Sequence, residues 1–323
     1  MKAQTHLQTR RLGNTDMNIT PVGFGSWALG GGGWVYAWGP QDDNESIEAI
    51  HHAMDLGINW IDTAAGYGLG HSEIVTGKAI AGMSNPPFIF TKCGLPWDEH
   101  GVIHDSLNRD SLRKECEGSL KRLNVEAIDL YQIHWPRPDE DIEEGWAALA
   151  ELQKEGKVRW IGVSNFSIEQ MKRANAIAPV SSLQPPYSLV RPQVQNEILP
   201  FCLDNNIGVI VYSPMYSGLL TGKMTPERIS NMPADDWRQN DPEFKSPQLE
   251  KNLKLVDALI EIGKQHNVEP GVIATAWTLR NPAVTAAIVG FRRPSQVDGI
   301  FPAVDLRLSK EEIDILDVFT AGK

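Results

Sequence analysis

Four polar side chains lie at or just past the carboxyl ends of predicted strands. Asp62 ends the second predicted strand, Tyr67 follows in the next loop, Lys92 ends the third strand and His134 ends the fourth. In a barrel of parallel strands all four would emerge at one mouth, where polar residues are typical of catalytic sites. Taken singly, a salt bridge between Asp62 and Lys92 and a rim histidine would explain these residues structurally. Their coincidence favours a catalytic site.

This set of residues suits proton transfer to and from a substrate oxygen. Tyrosine has an ordinary pKa of about 10, which is too high for easy proton exchange near neutral pH. We expect the Lys92 ammonium to lower the pKa of Tyr67, and Asp62 to hold Lys92 charged and in place. Tyr67 could then serve as a general acid in one direction and a general base in the other. A neutral imidazole at His134 would orient the substrate oxygen. The component that the set lacks is a reductant.

The elements that must position these side chains begin with short apolar runs. Several of the runs are rich in Val and Ile and are flanked by Gly, Pro or Asn, a pattern that predicts strands. The eight predicted strands are Pro21–Leu29, Asn59–Ala64, Phe88–Lys92, Ala127–Trp135, Val158–Asn165, Ser182–Pro185, Ile207–Ser213 and Ala286–Phe291.

Amphipathic stretches between the strands predict helices. Ser167-x-x-Gln170 and Ser309-x-x-Glu312 have the spacing of a capping box, which marks the start of two of them. The predicted helices are Asn44–Leu56, Ser72–Ile80, Asp110–Leu123, Ile142–Lys154, Ile168–Ala176, Val194–Asp204, Leu253–His266, Val272–Leu279, Ser295–Ala303 and Glu311–Phe319.

Eight strands that alternate with helices predict a parallel α/β fold, a (β/α)8 TIM barrel in one domain over residues 1–323. Residues Arg10–Thr20 are expected to form an N-terminal hairpin that could plug the barrel bottom, and a loop of over thirty residues follows the seventh strand. An open dinucleotide-binding sheet is the alternative, because Gly23-x-Gly25-x-x-Ala28 matches its glycine pattern. A glycine-rich loop follows that motif instead of a helix, so we reject this alternative.

Composition excludes several classes of partner. The chain of 323 residues has a formal net charge of −11, which argues against nucleic acid or an anionic membrane surface. The start of the sequence lacks the apolar segment of a secretory signal. Three cysteines without CxxC spacing fit a reducing compartment and show no zinc or redox motif. We therefore expect a cytoplasmic protein without a metal site, whose partner is a small molecule.

Several motifs together resemble one family over essentially the whole chain. They are Asp62-Thr-Ala-Ala-Gly-Tyr67-Gly-x-Gly-x-Ser72-Glu73, Lys92, Asp129-Leu-Tyr-x-x-His134, Gly162-Val-Ser164-Asn165, Gln184-Pro-Pro-Tyr187 and Gly218-Leu-Leu-Thr-Gly-Lys223. In this order they resemble the aldo-keto reductases. The run Gly290-x-Arg292-x-Pro-x-Gln296 adds a resemblance to the bacterial general-stress subgroup, which is NADPH-dependent.

The resemblance implies a barrel that binds NADP(H) and reduces aldehydes or ketones, with Tyr67 as proton donor and Asp62, Lys92 and His134 as its partners. It also implies cofactor contacts across the barrel mouth. Besides Asp62, these are Ser26, Trp27, Ser164, Asn165, Gln184, Tyr212, Ser213, Pro214, Met215, Tyr216, Ser217, Gly218, Lys223, Arg238, Gly290, Arg292 and Gln296. Gly299 and Ile300 depart from the Glu and Asn that the family often has at these positions, so adenine contacts are not assigned there.

Two alternatives to a reductase remain open. A cofactor-sensing regulatory module with weak reductase activity would share the same motifs, although His134 is retained where the related potassium-channel β-subunits replace it. A barrel aldolase would use Lys92 to form a Schiff base. The substrate itself is not specified by the sequence, but aromatic residues in the mouth loops suggest an apolar pocket. They are Trp34, Tyr36, Trp38, Trp97 and Trp135.

Overall fold

The computed structural model describes residues 7–233 and 236–322, and its centre is a closed barrel of eight parallel strands. Strands adjacent in the sequence pair in space, and the eighth pairs with the first to close the ring. Each strand overlaps a predicted one, which confirms the (β/α)8 fold. The strands are β1 (Val22–Gly25), β2 (Trp60–Asp62), β3 (Phe88–Cys93), β4 (Ile128–Ile133), β5 (Val158–Ser164), β6 (Ser182–Gln184), β7 (Gly208–Val211) and β8 (Val284–Gly290).

Helices surround the barrel, and both predicted capping boxes are formed. No helix among the described residues is long and apolar enough to cross a membrane. The helices are α1 (Asp43–Asp55), α2 (His71–Ile80), α3 (Arg109–Leu123), α4 (Ile142–Lys154), α5 (Ile168–Asn175), α6 (Ile198–Asp204), α7 (Pro226–Ser230), α8 (Gln248–His266), α9 (Pro270–Leu279), α10 (Pro294–Ile300) and α11 (Lys310–Asp317).

Two helix boundaries differ from the prediction for reasons of proline chemistry. α6 begins at Ile198 instead of Val194. Pro200 lacks an N–H and its ring clashes with the carbonyl four residues earlier, so it fits only in a first turn. The segment before it forms a 3₁₀ turn, Gln193–Gln195. α8 begins at Gln248, five residues earlier than predicted. Its first residue directly follows Pro247.

The bottom of the barrel is closed by the predicted hairpin. Its strands, Arg10–Arg11 and Asn18–Ile19, pair antiparallel. Its apolar side chains Leu12, Met17 and Ile19 are fully buried against inward-facing residues of the barrel strands. At the turn, a Cβ on Gly13 would lie 2.3 Å from the backbone nitrogen of Gly208 and 2.8 Å from two carbonyl oxygens. A glycine is required there, because the turn is pressed against backbone that cannot move aside.

The segment after β7 is more ordered than the predicted loop of over thirty residues. It contains the short helix α7, and its first turn is a 3₁₀ helix, Leu219–Thr221. Two further 3₁₀ helices, Trp237–Asn240 and Pro242–Phe244, precede α8. Single turns of this kind do not show the 3.6-residue periodicity that predicts a helix from sequence.

A buried carboxylate holds the turn that follows β3. Glu115 on α3 accepts hydrogen bonds from the backbone N–H groups of Gly94 (3.0 Å) and Leu95 (3.2 Å). The Ser111 hydroxyl donates to its other oxygen at 3.4 Å. Burial raises the pKa of Glu115 to about 7, although these hydrogen bonds favour the ionised form. Glu115 thus supports the backbone just beyond Lys92.

We predict that Glu115→Gln stabilises the protein increasingly as the pH rises. In the wild type, the folded state keeps a proton on Glu115 that the unfolded state loses above a pH of about 4.5. The free energy of unfolding therefore falls between that pH and about 7, by about 3 kcal/mol. Glutamine keeps the acceptor oxygen and does not titrate, so its advantage over the wild type should grow by that amount.

Denaturant unfolding of both proteins from pH 4 to 8 measures this difference. Glu117→Gln, on the exposed side of the same helix, is the control and should show no such rise. A constant difference between Glu115→Gln and the wild type across this range would contradict the prediction.

Candidate active site

The structure brings together the four residues that strand order predicted at the barrel mouth. The Lys92 Nζ donates hydrogen bonds to Asp62 Oδ2 (2.6 Å), to the Thr63 carbonyl (2.9 Å) and to the Tyr67 hydroxyl (3.2 Å). Lys92 and Asp62 are 1% and 2% exposed. The ring centroids of Tyr67 and His134 lie 5.8 Å apart in an edge-on arrangement. These residues form one cluster across three adjacent strands, in which Asp62, Lys92 and Tyr67 are buried.

Strand register explains why the lysine reaches the carboxylate. β2 and β3 pair in parallel with Asp62 opposite Phe90, so Lys92 lies two residues farther along β3 and on the same face as Phe90. A lysine side chain spans that offset. Tyr67 returns to the cluster because the loop after β2 turns back before α2, and Tyr67 is only 7% exposed.

Burial controls the ionisation of the cluster. Burial by itself would lower the pKa of Lys92, but the neighbouring Asp62 carboxylate and Tyr67 hydroxyl raise it above its ordinary value. Burial also raises the pKa of Asp62, while Lys92 and an amide hydrogen bond oppose that effect. Lys92 is therefore held as an ammonium against the carboxylate.

The expected lowering of the tyrosine pKa does not occur in this structure. Burial raises the pKa of Tyr67 above 10, and the Lys92 ammonium only partly offsets the effect. For His134, burial holds the pKa well below 6.5, and the charges of Lys92 and Arg137 add to the effect. At neutral pH the site therefore contains a protonated phenol beside a neutral imidazole.

Four of the predicted cofactor residues form a hydrogen-bonded wall beside this cluster. The Gln184 amide donates to Asp62 Oδ1 at 2.8 Å, and the Ser164 hydroxyl donates to the Gln184 carbonyl at 2.8 Å. The Asn165 amide donates to the His134 carbonyl at 3.1 Å and accepts from the Tyr212 hydroxyl at 2.8 Å. The wall connects β5, β6 and the end of β7 to the cluster of Asp62, Lys92, Tyr67 and His134.

Ser26 and Trp27, the cofactor residues predicted on the first strand, lie on the other side of the cluster from this wall. Ser26 is completely buried and its hydroxyl donates to the Asp62 carbonyl at 3.0 Å. Trp27 faces the mouth, where its ring centroid lies 5.2 Å from that of Tyr67. Ser26 thus supports the strand ends, while Trp27 covers the phenol.

The loop after β7 carries a run of unusual backbone conformations. Ser213, Tyr216 and Ser217 have positive φ angles of 53°, 46° and 52°, and Gly218 has 90°. Non-glycine residues adopt this region at an energetic cost, and such residues cluster at binding sites. Pro214 and Met215 lie within the same turn. Tyr216 stacks on Phe244 and does not face the mouth, with ring centroids 6.1 Å apart.

The predicted phosphate-binding residues lie in the segment after β7 and at the end of β8. Lys223 is exposed, and Arg238 forms a salt bridge with Asp236 at 2.6 Å. At the end of β8, the Arg292 backbone N–H donates to Gln296 Oε1 at 2.7 Å. Gly290 lies beside them, exposed at the end of the strand.

Gly299 and Ile300, which depart from the family pattern, lie in different environments. Gly299 borders open space, since nothing lies within 4 Å of a Cβ placed there. Ile300 belongs to the hydrophobic core between barrel and helices and is 9% exposed. Ile300 therefore contributes to packing.

Residues between the first strand and α1 contribute more to the site than the sequence indicated. Trp34 packs near both Trp27 (5.6 Å between centroids) and Tyr67 (6.2 Å). Gln41, which sequence reasoning missed, accepts a hydrogen bond from Arg292 Nε at 2.6 Å. No local pattern marks Gln41, because its partner lies 251 residues away.

A cleft of about 670 Å³ opens beside the cluster, and its walls include Trp135, Arg137, Asn165 and Phe166. The Arg137 guanidinium lies 4.8 Å from the centre of the Trp135 ring. The other mouth tryptophan, Trp97, is covered similarly by Arg122 at 5.4 Å. Of these two tryptophans, only Trp135 therefore lines the cleft next to His134.

Comparison with known proteins identifies the family. The family model described as "Aldo/keto reductase family" matches residues 21–320. The chain is 39% identical over 304 residues to the aldo-keto reductase YhdN of Bacillus subtilis, covering 93% of this chain and 90% of that protein. It is 33% identical to an NADH-specific methylglyoxal reductase of Escherichia coli, covering 94% and 96%. A glycerol dehydrogenase of Gluconobacter oxydans has a similar structure, with a TM-score of 0.88, 39% identity and coverage of 97% and 95%. The chain therefore belongs to the aldo/keto reductase family.

Proposed function

We propose that this protein reduces aldehydes or ketones to alcohols, with Tyr67 as proton donor and a nicotinamide dinucleotide, preferably NADP(H), as the source of hydride. The observation that carries this proposal is the buried chain from Asp62 through Lys92 to Tyr67 beside a neutral His134. Membership of the family supports carbonyl reduction.

Tyr67 is suited to give a proton to the substrate oxygen because burial keeps its phenol protonated. As the proton leaves, the Lys92 ammonium 3.2 Å away stabilises the phenolate. Asp62 and the Thr63 carbonyl keep Lys92 from moving towards the substrate. General acid catalysis of this kind contributes about 10²–10⁴-fold to a rate.

His134 is suited to orient the carbonyl. Its imidazole is neutral, so one ring nitrogen can donate a hydrogen bond to the substrate oxygen without competing with Tyr67 as an acid. The rings of Trp27 and Trp34 cover the opposite side of Tyr67 and exclude water from it. Water exclusion strengthens each of these electrostatic interactions.

The residues of the mouth fit a nicotinamide dinucleotide by their chemistry. Bound there, the cofactor would supply hydride to the carbonyl carbon. Amide and hydroxyl groups from Ser164, Asn165 and Gln184 offer donors and acceptors for a carboxamide, and the Tyr212 ring offers a flat apolar face beside them. Each of these groups is already fixed by hydrogen bonds, which favours binding by reducing the entropy lost on ordering.

The outer edge of the mouth fits the phosphates. Lys223, Arg238 and Arg292 place three cations there in a protein whose net charge is −11. Arg292 and the adjacent Arg293 precede the first turn of α10, where backbone N–H groups also favour an anion. This arrangement supports NADP(H), because only that cofactor has a 2′-phosphate. One relative is NADH-specific, so the preference requires a direct test.

The contacts of Lys92 disfavour the aldolase alternative. A Schiff base requires a neutral amine that can reach a carbonyl. Lys92 has a raised pKa and donates to three acceptors, so it is held as an ammonium.

We predict that Tyr67→Phe retains cofactor binding and loses about 10²–10⁴-fold in kcat, because the ring remains while the proton donor is removed. A panel of aldehydes and ketones, followed by NADPH absorbance, provides the assay. Tyr131→Phe, which removes a hydroxyl from the core outside the mouth, is the matched control and should retain kcat. If Tyr67→Phe keeps a near-normal kcat while chemistry is still rate-limiting, Tyr67 is not the proton donor. A wild-type protein that binds NADPH and turns over no carbonyl would favour the cofactor-sensing module.

We predict that Lys92→Met abolishes most activity and destabilises the protein by about 3–5 kcal/mol, because the Asp62 carboxylate remains buried without its cation. The double variant Asp62→Asn/Lys92→Met removes both charges and should regain most of this stability while staying inactive. Denaturant unfolding and the reductase assay separate the two effects. A double variant as unstable as Lys92→Met would show that packing, not the unpaired charge, causes the loss.

We predict that Arg292→Ala weakens NADPH binding more than NADH binding, by about 10- to 150-fold. This range is the value of a charge-assisted hydrogen bond to the 2′-phosphate, roughly 1.5–3 kcal/mol. Dissociation constants from fluorescence quenching of wild type and variant give the comparison. Equal losses for both cofactors would contradict a 2′-phosphate contact and remove the main support for NADP(H).

A further inference from the structure

The loop between β1 and α1 covers the proposed proton donor. We name residues 31–41 the mouth loop. Its rings surround Trp27, with centroid distances of 5.6 Å for Trp34, 6.3 Å for Tyr36 and 6.2 Å for Trp38. Trp27 in turn lies 5.2 Å from Tyr67. A carbonyl that reaches Tyr67 must therefore contact the mouth loop or pass it.

The mouth loop has little intrinsic rigidity. Gly31, Gly33 and Gly39 adopt positive φ angles of 67°, 84° and 84°, and a Cβ on any of them would meet nothing within 4 Å. Glycines of this kind permit many backbone conformations, so their order must be imposed by other contacts. Val35 and Tyr36, at the tip, are 68% and 48% exposed. The tip is attached through Trp27, whose Nε1 donates to the Tyr36 carbonyl at 3.0 Å.

Arg292, at the end of β8, holds the part of the loop that adjoins α1. Its Nε donates to Gln41 Oε1 at 2.6 Å, and its two Nη groups donate to the carbonyls of Trp38 (3.5 Å) and Pro40. The Gln41 amide donates back to the Arg292 carbonyl at 2.9 Å. One guanidinium thus binds three acceptors within four residues of the loop. Charge-assisted hydrogen bonds of this kind are stronger than neutral ones.

A second arginine contacts the same part of the loop. The Arg238 guanidinium lies 5.1 Å from the centre of the Trp38 ring, and it also donates to the Ser217 carbonyl at 3.3 Å. A cavity of about 390 Å³ beside the loop, bounded by Gly31, Gln41 and His71, leaves room for the loop to shift if these contacts are lost. The loop is therefore held from one side and free on the other.

We propose that Arg292 is a positioning residue that anchors the mouth loop over Tyr67, and that this anchor sets the affinity for the carbonyl substrate with either nicotinamide cofactor. The inference rests on the proposed reductase function. The anchoring role is compatible with the proposed phosphate contact. A guanidinium has five N–H donors, and three of them bind the loop. The other two remain available to an anion.

Gln41 separates the two roles, because its neutral amide holds Arg292 to the loop and is not among the residues proposed to bind phosphate. Hydrogen exchange of peptides that cover residues 31–41, measured by mass spectrometry without cofactor, reports the anchor directly. Gln41→Ala and Arg292→Ala should each speed exchange there by on the order of tenfold, the value of a charge-assisted hydrogen bond. Arg293→Ala removes the same charge one residue away, where no side-chain hydrogen bond is formed within the described residues, and should leave exchange unchanged. Wild-type exchange in both Gln41→Ala and Arg292→Ala would overturn the proposal.

Steady-state kinetics test whether the anchor affects the affinity for the carbonyl substrate. With 4-nitrobenzaldehyde, Gln41→Ala should raise KM about fivefold, with a much smaller change in kcat, since Tyr67 and Lys92 are untouched. The factor should be the same with NADPH and NADH. The double variant Gln41→Ala/Arg292→Ala should show the aldehyde KM of Arg292→Ala alone, because the loss of Arg292 already removes the interaction that Gln41→Ala breaks.

If the aldehyde KM rises in Arg292→Ala and is unchanged in Gln41→Ala, Arg292 acts only as a phosphate ligand. That result would overturn the proposal that Arg292 anchors the mouth loop. Failure of the proposed function is a distinct result. In that case the wild type shows no carbonyl turnover, while hydrogen exchange still reports whether Arg292 orders the loop.

Discussion

The buried ion pair between Lys92 and Asp62 is the interaction on which the rest of the site depends. A single unpaired charge at this depth would cost several kcal/mol, so neither residue could be tolerated there without the other. The remaining donors and acceptors of the pair are taken by the Thr63 carbonyl, the Gln184 amide and the Tyr67 hydroxyl. Satisfying one buried pair thus fixes residues from three strands and one loop in a single arrangement.

The dry surroundings of that pair also determine the protonation of its neighbours. Exclusion of water disfavours the charged form of every group, so the pKa of Tyr67 rises and that of His134 falls. A protonated phenol and a neutral imidazole are the forms that the proposed mechanism uses. The same burial therefore accounts for both the stability of the ion pair and the proposed division of roles between the two rings.

The mouth loop connects the proposed phosphate-binding arginines to Tyr67. Arg238 and Arg292 lie where phosphates are proposed to bind, yet both contact Trp38, one through its ring and the other through its carbonyl. Trp38 packs on Trp27, which packs on Tyr67. A continuous series of contacts thus runs from the phosphate end to the proton donor.

The sequence by itself determined the eight strands, most helices and the meeting of Asp62, Tyr67, Lys92 and His134. Hydrophobic periodicity is local, and parallel strand order brings all carboxyl ends to one face. The direction of the Tyr67 pKa shift was predicted wrongly, because a sequence shows neighbouring charges but not how completely water is excluded. The contact between Arg292 and Gln41 was missed for a related reason. It joins residues 251 positions apart, and only closure of the barrel between its first and last strands brings them together.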